Sequence, residues 1–481
     1  MDENVLPKDQ QPVEPAKPPI SEFAKPAVKP IGSAAPIGIK PPANSTIPDA
    51  DGPGGMIKKI IIGVVAVALI VVLVYFFWPR GNQKKVNLVW WGLWEDARVM
   101  QPIIADFEKE NPTITVEYSK QDPKQYRERL TTRIQNNTGP DIFRYHNTWY
   151  PMFSDILVPL PSDVVTQAEF KKIFYPVIQK DLTHNGAIYG IPLGIDSLGL
   201  FVNTDLLASA GISSPANWDE FVKAAKTLTV KDETGKITTA GAAFGTYANV
   251  AHAPDIISLL FIQQGVDLGQ MAVSSQDQSD VLDFYTSFAR GDQTTWDNSL
   301  DSSLILFSQG RLAMYFGYSW DIFTIQRLNK DLKFKVLSVP SLFNRKMTIA
   351  SYWVEGISAK SAHQKEALLF MKYLNRKETA QKFYTEAAKT RAFGELYART
   401  DLADTLKSNE LIYPFVSQLK DAQSSFFASD TFDGESGLNS MSNTYLGNAV
   451  NSITNDSSSA STAVETLDQG VAQIFSKYGI Q

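Results

Sequence analysis

The chain contains no cysteine. Disulfides, thiolate metal sites, cysteine nucleophiles and a lipid-modified cysteine anchor are thereby excluded, while the compartment stays open. Histidine is scarce too: His146, His184, His252 and His363 are scattered, with no H-E-x-x-H spacing and no histidine–carboxylate cluster for zinc. G-x-S-x-G is absent, and Gly190-Ile-Pro192 and Gly245-Thr-Tyr247 are not phosphate-cradling loops. No metal and no cofactor is expected. Positive charge is in deficit, with 45 Lys and Arg against 51 Asp and Glu and a net charge of −6. A binder that tracks phosphates would carry a basic stripe instead, so nucleic acid is not an expected partner.

What is present is a globular composition, 44% hydrophobic and 20% charged, in 481 residues, which is too long for one ordinary domain. Residues 1–56 stand apart. Rich in Pro, Ala, Lys and Gly, with Phe23 as their aromatic residue, they cannot bury enough apolar surface to offset the entropy of ordering, and read as a disordered spacer. An uncharged run follows, Ile60–Trp78, which at ~1.5 Å rise per residue spans close to the ~30 Å hydrocarbon core. Lys58, Lys59, Arg80, Lys84 and Lys85 flank it, and Tyr75 to Trp78 form an aromatic collar. This predicts a single transmembrane helix over 57–79 and a linker over 80–85. A cleaved signal peptide would show a small-residue cleavage site, which WPRGNQ does not offer. Basic residues on both flanks leave the orientation undecided by charge.

From Val86 the pattern becomes strand, helix, strand, helix, strand within about sixty residues, the grammar of an open α/β sheet. The strands are Val86–Trp91, Thr113–Tyr118 and the one after Gly139-Pro140; the first helix carries Met100, Ile103, Ile104 and Phe107 on one face. Ligands of such sheets bind beyond the carboxyl ends of the strands. Trp94 and Glu95 stand there after the first strand, and His146, Asn147 and Thr148 after the third. Further on, Tyr189-Gly-Ile-Pro192 breaks any helix, and Asp196 sits at the mouth of the apolar run Leu198–Val202. Asn217 and Glu220 then stand in capping-box spacing before a helix with Trp218, Phe221, Val222, Ala225 and Leu228 at helical period. Tyr247 and Asn249, past another predicted strand, supply a second wall. Rings mixed with neutral and acidic hydrogen-bonding groups suit a sugar, whose C–H face packs on an aromatic ring while its hydroxyls need donors and acceptors.

Tyr189-Gly-Ile-Pro192, the acid at Asp196, a strand ending in Asn203-Thr-Asp-Leu-Leu207, then Ala210-Gly-Ile212 and Asn217-Trp-Asp-Glu-Phe221 resemble the extracellular solute-binding proteins of bacterial ABC importers, in particular the maltose-binding-protein-like branch. A second similar block is Gln309-Gly-Arg-Leu-Ala-Met-Tyr-Phe-Gly-Tyr-Ser-Trp320. The resemblance spans about 86–481 and is vaguest over 395–440. It implies an α/β, two-lobed periplasmic-binding-protein-like fold (type II), with interleaved lobes, a hinge and a central cleft. Segments 86–196 and 340–392 would form the first lobe, and 197–339 and 393–481 the second. Lys333–Pro340 would be a strand returning to the first lobe. Tyr318, Ser319 and Trp320 would face the cleft, as would Trp353 and Glu355 of the Ser351–Gly356 segment. It further implies a carbohydrate solute, permease subunits of an ABC importer as partners, an extracellular binding domain and a cytoplasmic tail. A tethered sensor or adhesin of the same fold is the alternative. A glycoside hydrolase using two of Glu95, Asp96, Asp196 and Glu355 is a further one, since that chemistry needs two carboxyls at ~5–10 Å; no enzyme is expected.

Overall fold

In the computed structural model the described residues are 85–480, apart from 270, 272–274, 292–293 and 456–457. The expected tail and the helix over 57–79 lie outside them. Among the described residues no helix is long and apolar enough to cross a membrane.

Two five-stranded sheets each anchor a separate apolar core. In the first, Val86–Gly92 lies between Ile114–Lys120 and Ile142–His146, parallel to both, and Trp353–Ile357 pairs antiparallel with Ile142–His146. Ile191–Pro192 completes the edge. The helix Ala97–Glu110 covers this sheet because Val99, Met100, Ile103, Ile104 and Phe107 recur on one face; Asp96 caps it by accepting from Arg98 N–H.

The second sheet has the order Phe334–Leu337, Gly199–Asn203, Leu312–Gly317, Ile237–Ala242, Val230–Lys231. Gly199–Asn203 is buried throughout, as the unbroken apolar run requires of a strand covered on both faces. Asn217 caps Trp218–Leu228 by accepting from Glu220 N–H at 2.9 Å. The reciprocal bond differs from a capping box: Glu220 accepts from Ala216 N–H, one residue earlier. Phe334–Leu337 is not a return to the first lobe. It pairs with Gly199–Asn203 at the edge of the second sheet, where Val336 packs into the second core.

The return comes ten or so residues later. Thr348–Ser351 is the middle strand of a small three-stranded sheet, with Asp196–Ser197 and Ala422–Gln423 on its two sides. Asp196–Ser197 runs directly into the second sheet and Thr348–Ser351 directly into the first. Ile195 accordingly packs in the first core and Leu198 in the second; Ile349 belongs to the second and Ala350 to the first. A third passage falls between Ala387 in the first core and Phe393 in the second. The chain then dips back, since Leu419 and Ala422 touch the first core between Phe415 and Phe427 of the second. The protein is thus a two-lobed α/β fold whose lobes are interleaved in sequence. They are joined by the short strands of the linking sheet, the arrangement of a hinge.

Candidate functional site between the lobes

Beside the small linking sheet lies a cavity of about 450 Å³, within the range of small-molecule sites. Both cores contribute to it. Trp94, Glu95, Arg144, Leu193, Tyr352, Trp353 and Phe383 come from the first; Leu304, Ser319, Trp320, Phe323, Phe393 and Phe432 come from the second; Asp196 and Ser351 come from the linking strands.

The rings are held by packing behind them. Trp353 lies edge-on to Trp94 at 5.4 Å and to Trp149 at 5.5 Å, and Trp149 is fully buried. Trp320 stacks on Tyr318 at 4.3 Å and 15°. Phe323 packs on Phe393 at 4.6 Å and carries the Arg391 guanidinium over its face at 5.1 Å. Arg391 in turn pairs with Glu395. Such rings lose little entropy on binding and offer broad apolar faces.

Beneath the first wall Arg144 is clamped between Glu95 and Glu355, all three nearly excluded from solvent. Trp90 Nε1 also donates to Glu355 at 2.7 Å. Burial raises the Glu355 carboxyl above its ordinary range, against the pull of Arg144. Beneath the second wall is another buried set. His252 Nε2 lies 2.9 Å from Asp321 and Nδ1 lies 2.7 Å from Ser429 Oγ, while Tyr318 donates to Asp255 at 2.7 Å. Asp196 spans the lobes: its carboxylate accepts from Ser197 N–H and Ser319 N–H, both at 2.8 Å, and from the Ser319 hydroxyl. Burial pushes this carboxyl up to about 8 against those three hydrogen bonds.

Of the residues singled out from sequence, Trp94, Glu95, Asp196, Ser319, Trp320 and Trp353 line one cavity. The others stand behind or away from it. Tyr318 and Glu355 are buried supports, as above. His146 bonds Thr148 Oγ1 and Ser351 Oγ, and burial lowers it to about 3, so it is neutral. Thr148 donates across the lobes to Asn439, and Asn147 donates to Asp181. Asn249 is consumed inside the second lobe by Asp297, Leu300 and Trp296, and Tyr247 donates to Asn443. Sequence reasoning missed Arg144, Phe323, Arg391 and Asp430. Arg144 lies inside a strand rather than past its end, and the others become neighbours only through the lobe crossings.

The His252 set sets a pH dependence. Burial works against the charged imidazole, but the carboxylates of Asp321, Asp430 and Asp255 outweigh it and raise His252 from 6.5 to about 9. A base with a raised folded-state pKa contributes stability below its unfolded value, and that contribution is lost as pH rises through the folded one. Between pH 6.5 and about 9 the folded protein should therefore lose on the order of 3 kcal/mol from this group. Asp196, an acid raised by burial, adds a loss of the same sign over a lower window. Urea midpoints at both ends of the His252 window, for the parent and for His252→Gln, isolate the histidine: the variant should show a flatter pH profile, and an equal slope in both would contradict the assignment.

Two lobes around a hinge, with a ring-lined cleft to which both contribute, define a two-lobed ligand-binding protein. The chain belongs to the family of bacterial extracellular solute-binding proteins, whose model matches residues 92–381, more than half of its length. It is 26% identical over 330 residues to the multiple sugar-binding protein of Streptococcus mutans, covering 63% of this chain and 72% of that one. It is also 26% identical over 247 residues to a protein of Brucella abortus described as a binding protein, covering 49% of this chain and 58% of that one. Among solved structures, a cyclo/maltodextrin-binding protein complexed with maltotetraose superposes with a TM-score of 0.65 at 18% identity, over 82% of this chain and 98% of that one. A solute-binding protein of Thermotoga lettingae bound to α-D-tagatose superposes with a TM-score of 0.62 at 20% identity, over 81% and 99%.

Proposed function

We propose that the protein captures a sugar or short oligosaccharide in the inter-lobe cleft and delivers it to the permease of an ABC importer. The observation that carries this is the pairing of Trp94 and Trp353 on one lobe with Trp320 and Phe323 on the other across a cavity of about 450 Å³. Rings on both sides can take the two C–H faces of a pyranose, while Ser351 and Arg391 line the same cavity as polar partners for its edge. A ligand touching both lobes favours the closed arrangement by its differential affinity for it. The names of the Streptococcus relative and of the sugar-bound structural neighbours point the same way.

Binding without turnover is part of the reading. The carboxylates that a glycosidase would use are engaged: Glu95 and Glu355 by Arg144, and Asp196 by Ser319 and Ser197. The uncharged run Ile60–Trp78 supports a membrane tether, and membership of a family of extracellular solute-binding proteins supports a binding domain on the outer side with the tail in the cytoplasm.

A melting-temperature screen of the full chain in detergent against sugars, polyols, amines and peptides tests the proposal. A bound solute at ~100-fold its Kd adds about 2.7 kcal/mol to the folded state. Sugars should give that shift without release of reducing ends. Silence across the sugars with a response to amines would reverse the substrate class, and steady release of reducing ends would replace binding by hydrolysis.

A further inference from the structure

The segment Ser429–Ser436 is rooted at both ends in the second lobe. At its start Ser429 is held by Asp255, which accepts from its N–H at 3.0 Å, and by His252. At its end Asp433 caps the helix Leu438–Thr454, accepting from Asn439 N–H at 2.6 Å and Ser440 N–H at 3.2 Å. The same end also reaches the other lobe. Arg127, on the first-lobe helix Tyr126–Gln135, donates through Nε to the Asp433 carbonyl and through Nη2 to Ser436 Oγ at 3.1 Å. The path is held in an unusual backbone shape, with Asp430 at φ 54°, Phe432 at 51° and Gly434 at 74°. Left-handed geometry at two non-glycine residues persists only where surrounding contacts impose it. Gly434 suits this path because its φ of 74° is a conformation that L side chains rarely adopt, and an added Cβ would also push aside the Glu128 carboxylate of the same first-lobe helix. The outcome is the placement of Phe432, a ring 40% exposed that nevertheless lines the cavity and meets Trp94 of the opposite lobe at 5.4 Å.

The geometry points to a strap: Ser429–Ser436 closes the mouth of the cleft with Phe432, and Arg127 fastens it to the opposite lobe, so that the strap retains the bound solute and limits its length. This rests on the solute-binding reading for what is retained, but the fastening itself is independent of it. Phe432 is a ligand-contacting residue in this scheme and Arg127, outside the cavity lining, a positioning residue. A solute leaving the cleft must wait for the strap to lift, so the strap acts on the dissociation rate more than on association.

Because the chain lacks cysteine, dyes placed at Lys171→Cys and Lys236→Cys, one exposed site per lobe, report lobe separation in the full-length protein. Arg127→Ala should lengthen the mean separation without ligand and raise the dissociation rate of a bound maltooligosaccharide about tenfold, with little change in association. Gly434→Ala, which strains the strap's backbone at its left-handed turn, should do the same. In a ladder of di- to tetrasaccharide probes, Phe432→Ala should shift preference toward the longer members. Unchanged separation and unchanged dissociation in both fastening variants would overturn the strap, and an unchanged length preference in Phe432→Ala would overturn its role at the mouth. If no saccharide binds the parent protein, the substrate reading fails, and the dye pair alone still decides whether Arg127 fastens the lobes.

Discussion

Arg144→Met should destabilise the folded protein by about 3–5 kcal/mol, the largest loss expected from any single substitution in the cleft. Arg144, Glu95 and Glu355 have side chains 4%, 4% and 1% exposed, and the guanidinium is the group that balances the two carboxylates. Methionine keeps much of the volume and removes the charge. Two carboxylates then share a site from which water is excluded, and each must either recruit a proton or draw water into the first core. Urea unfolding reads this directly as a fall in midpoint at unchanged slope. A triple variant with Glu95→Gln and Glu355→Gln added should recover a large part of the loss, because it removes the uncompensated charge rather than the packing. A single variant within about 1 kcal/mol of the parent would show that the triad is solvated in solution and does not hold the wall of the cleft.

The second large effect is on binding. Trp320→Ala should weaken solute affinity by about 30-fold or more, the ~2 kcal/mol of a ring that anchors a ligand. Trp320 lines the cavity, is only half-buried in the unliganded protein and is held flat by Tyr318, which is anchored in turn through Asp255. It therefore presents a fixed face at little entropic cost. Truncating it should lower the unliganded urea midpoint less than Trp149→Ala does, since Trp149 is fully buried between Trp353, Phe153 and Tyr126. Titration calorimetry against the sugar found in the melting screen gives the affinity. An unchanged Kd in Trp320→Ala would remove the second-lobe wall from the site.

Much of the fold is legible in the sequence because it follows from local rules. The apolar period of Ala97–Glu110, the Asn217 cap and the unbroken burial of Gly199–Asn203 each follow from residues within a few positions of one another. Strand ends are legible in the same way, and so Trp94, Glu95 and Asp196 are found before any contact is known. The reading fails where a polar residue at a strand end has two directions to choose from. His146 and Thr148 sit at such an end, yet they face Ser351 and Asn439. Asn249 turns inward to Asp297 and Leu300, and Glu355 turns toward Arg144.

The sequence by itself determined the alternation of strands and helices, the family resemblance, the absence of thiol chemistry and the aromatic, mildly acidic character of the site. Tertiary structure alone decided which rings face one another and which carboxylates are spent on internal partners. It decided too that Phe334–Leu337 stays in the second sheet, and that a segment near the end of the chain reaches Arg127. The physical reason is separation along the chain: Arg144 and Glu355 are 211 residues apart, and Arg127 and Asp433 are 306 apart. Periodicity reports whether a face is covered, but whether the cover is a core, a hinge or a cleft depends on segments that only the lobe crossings bring together.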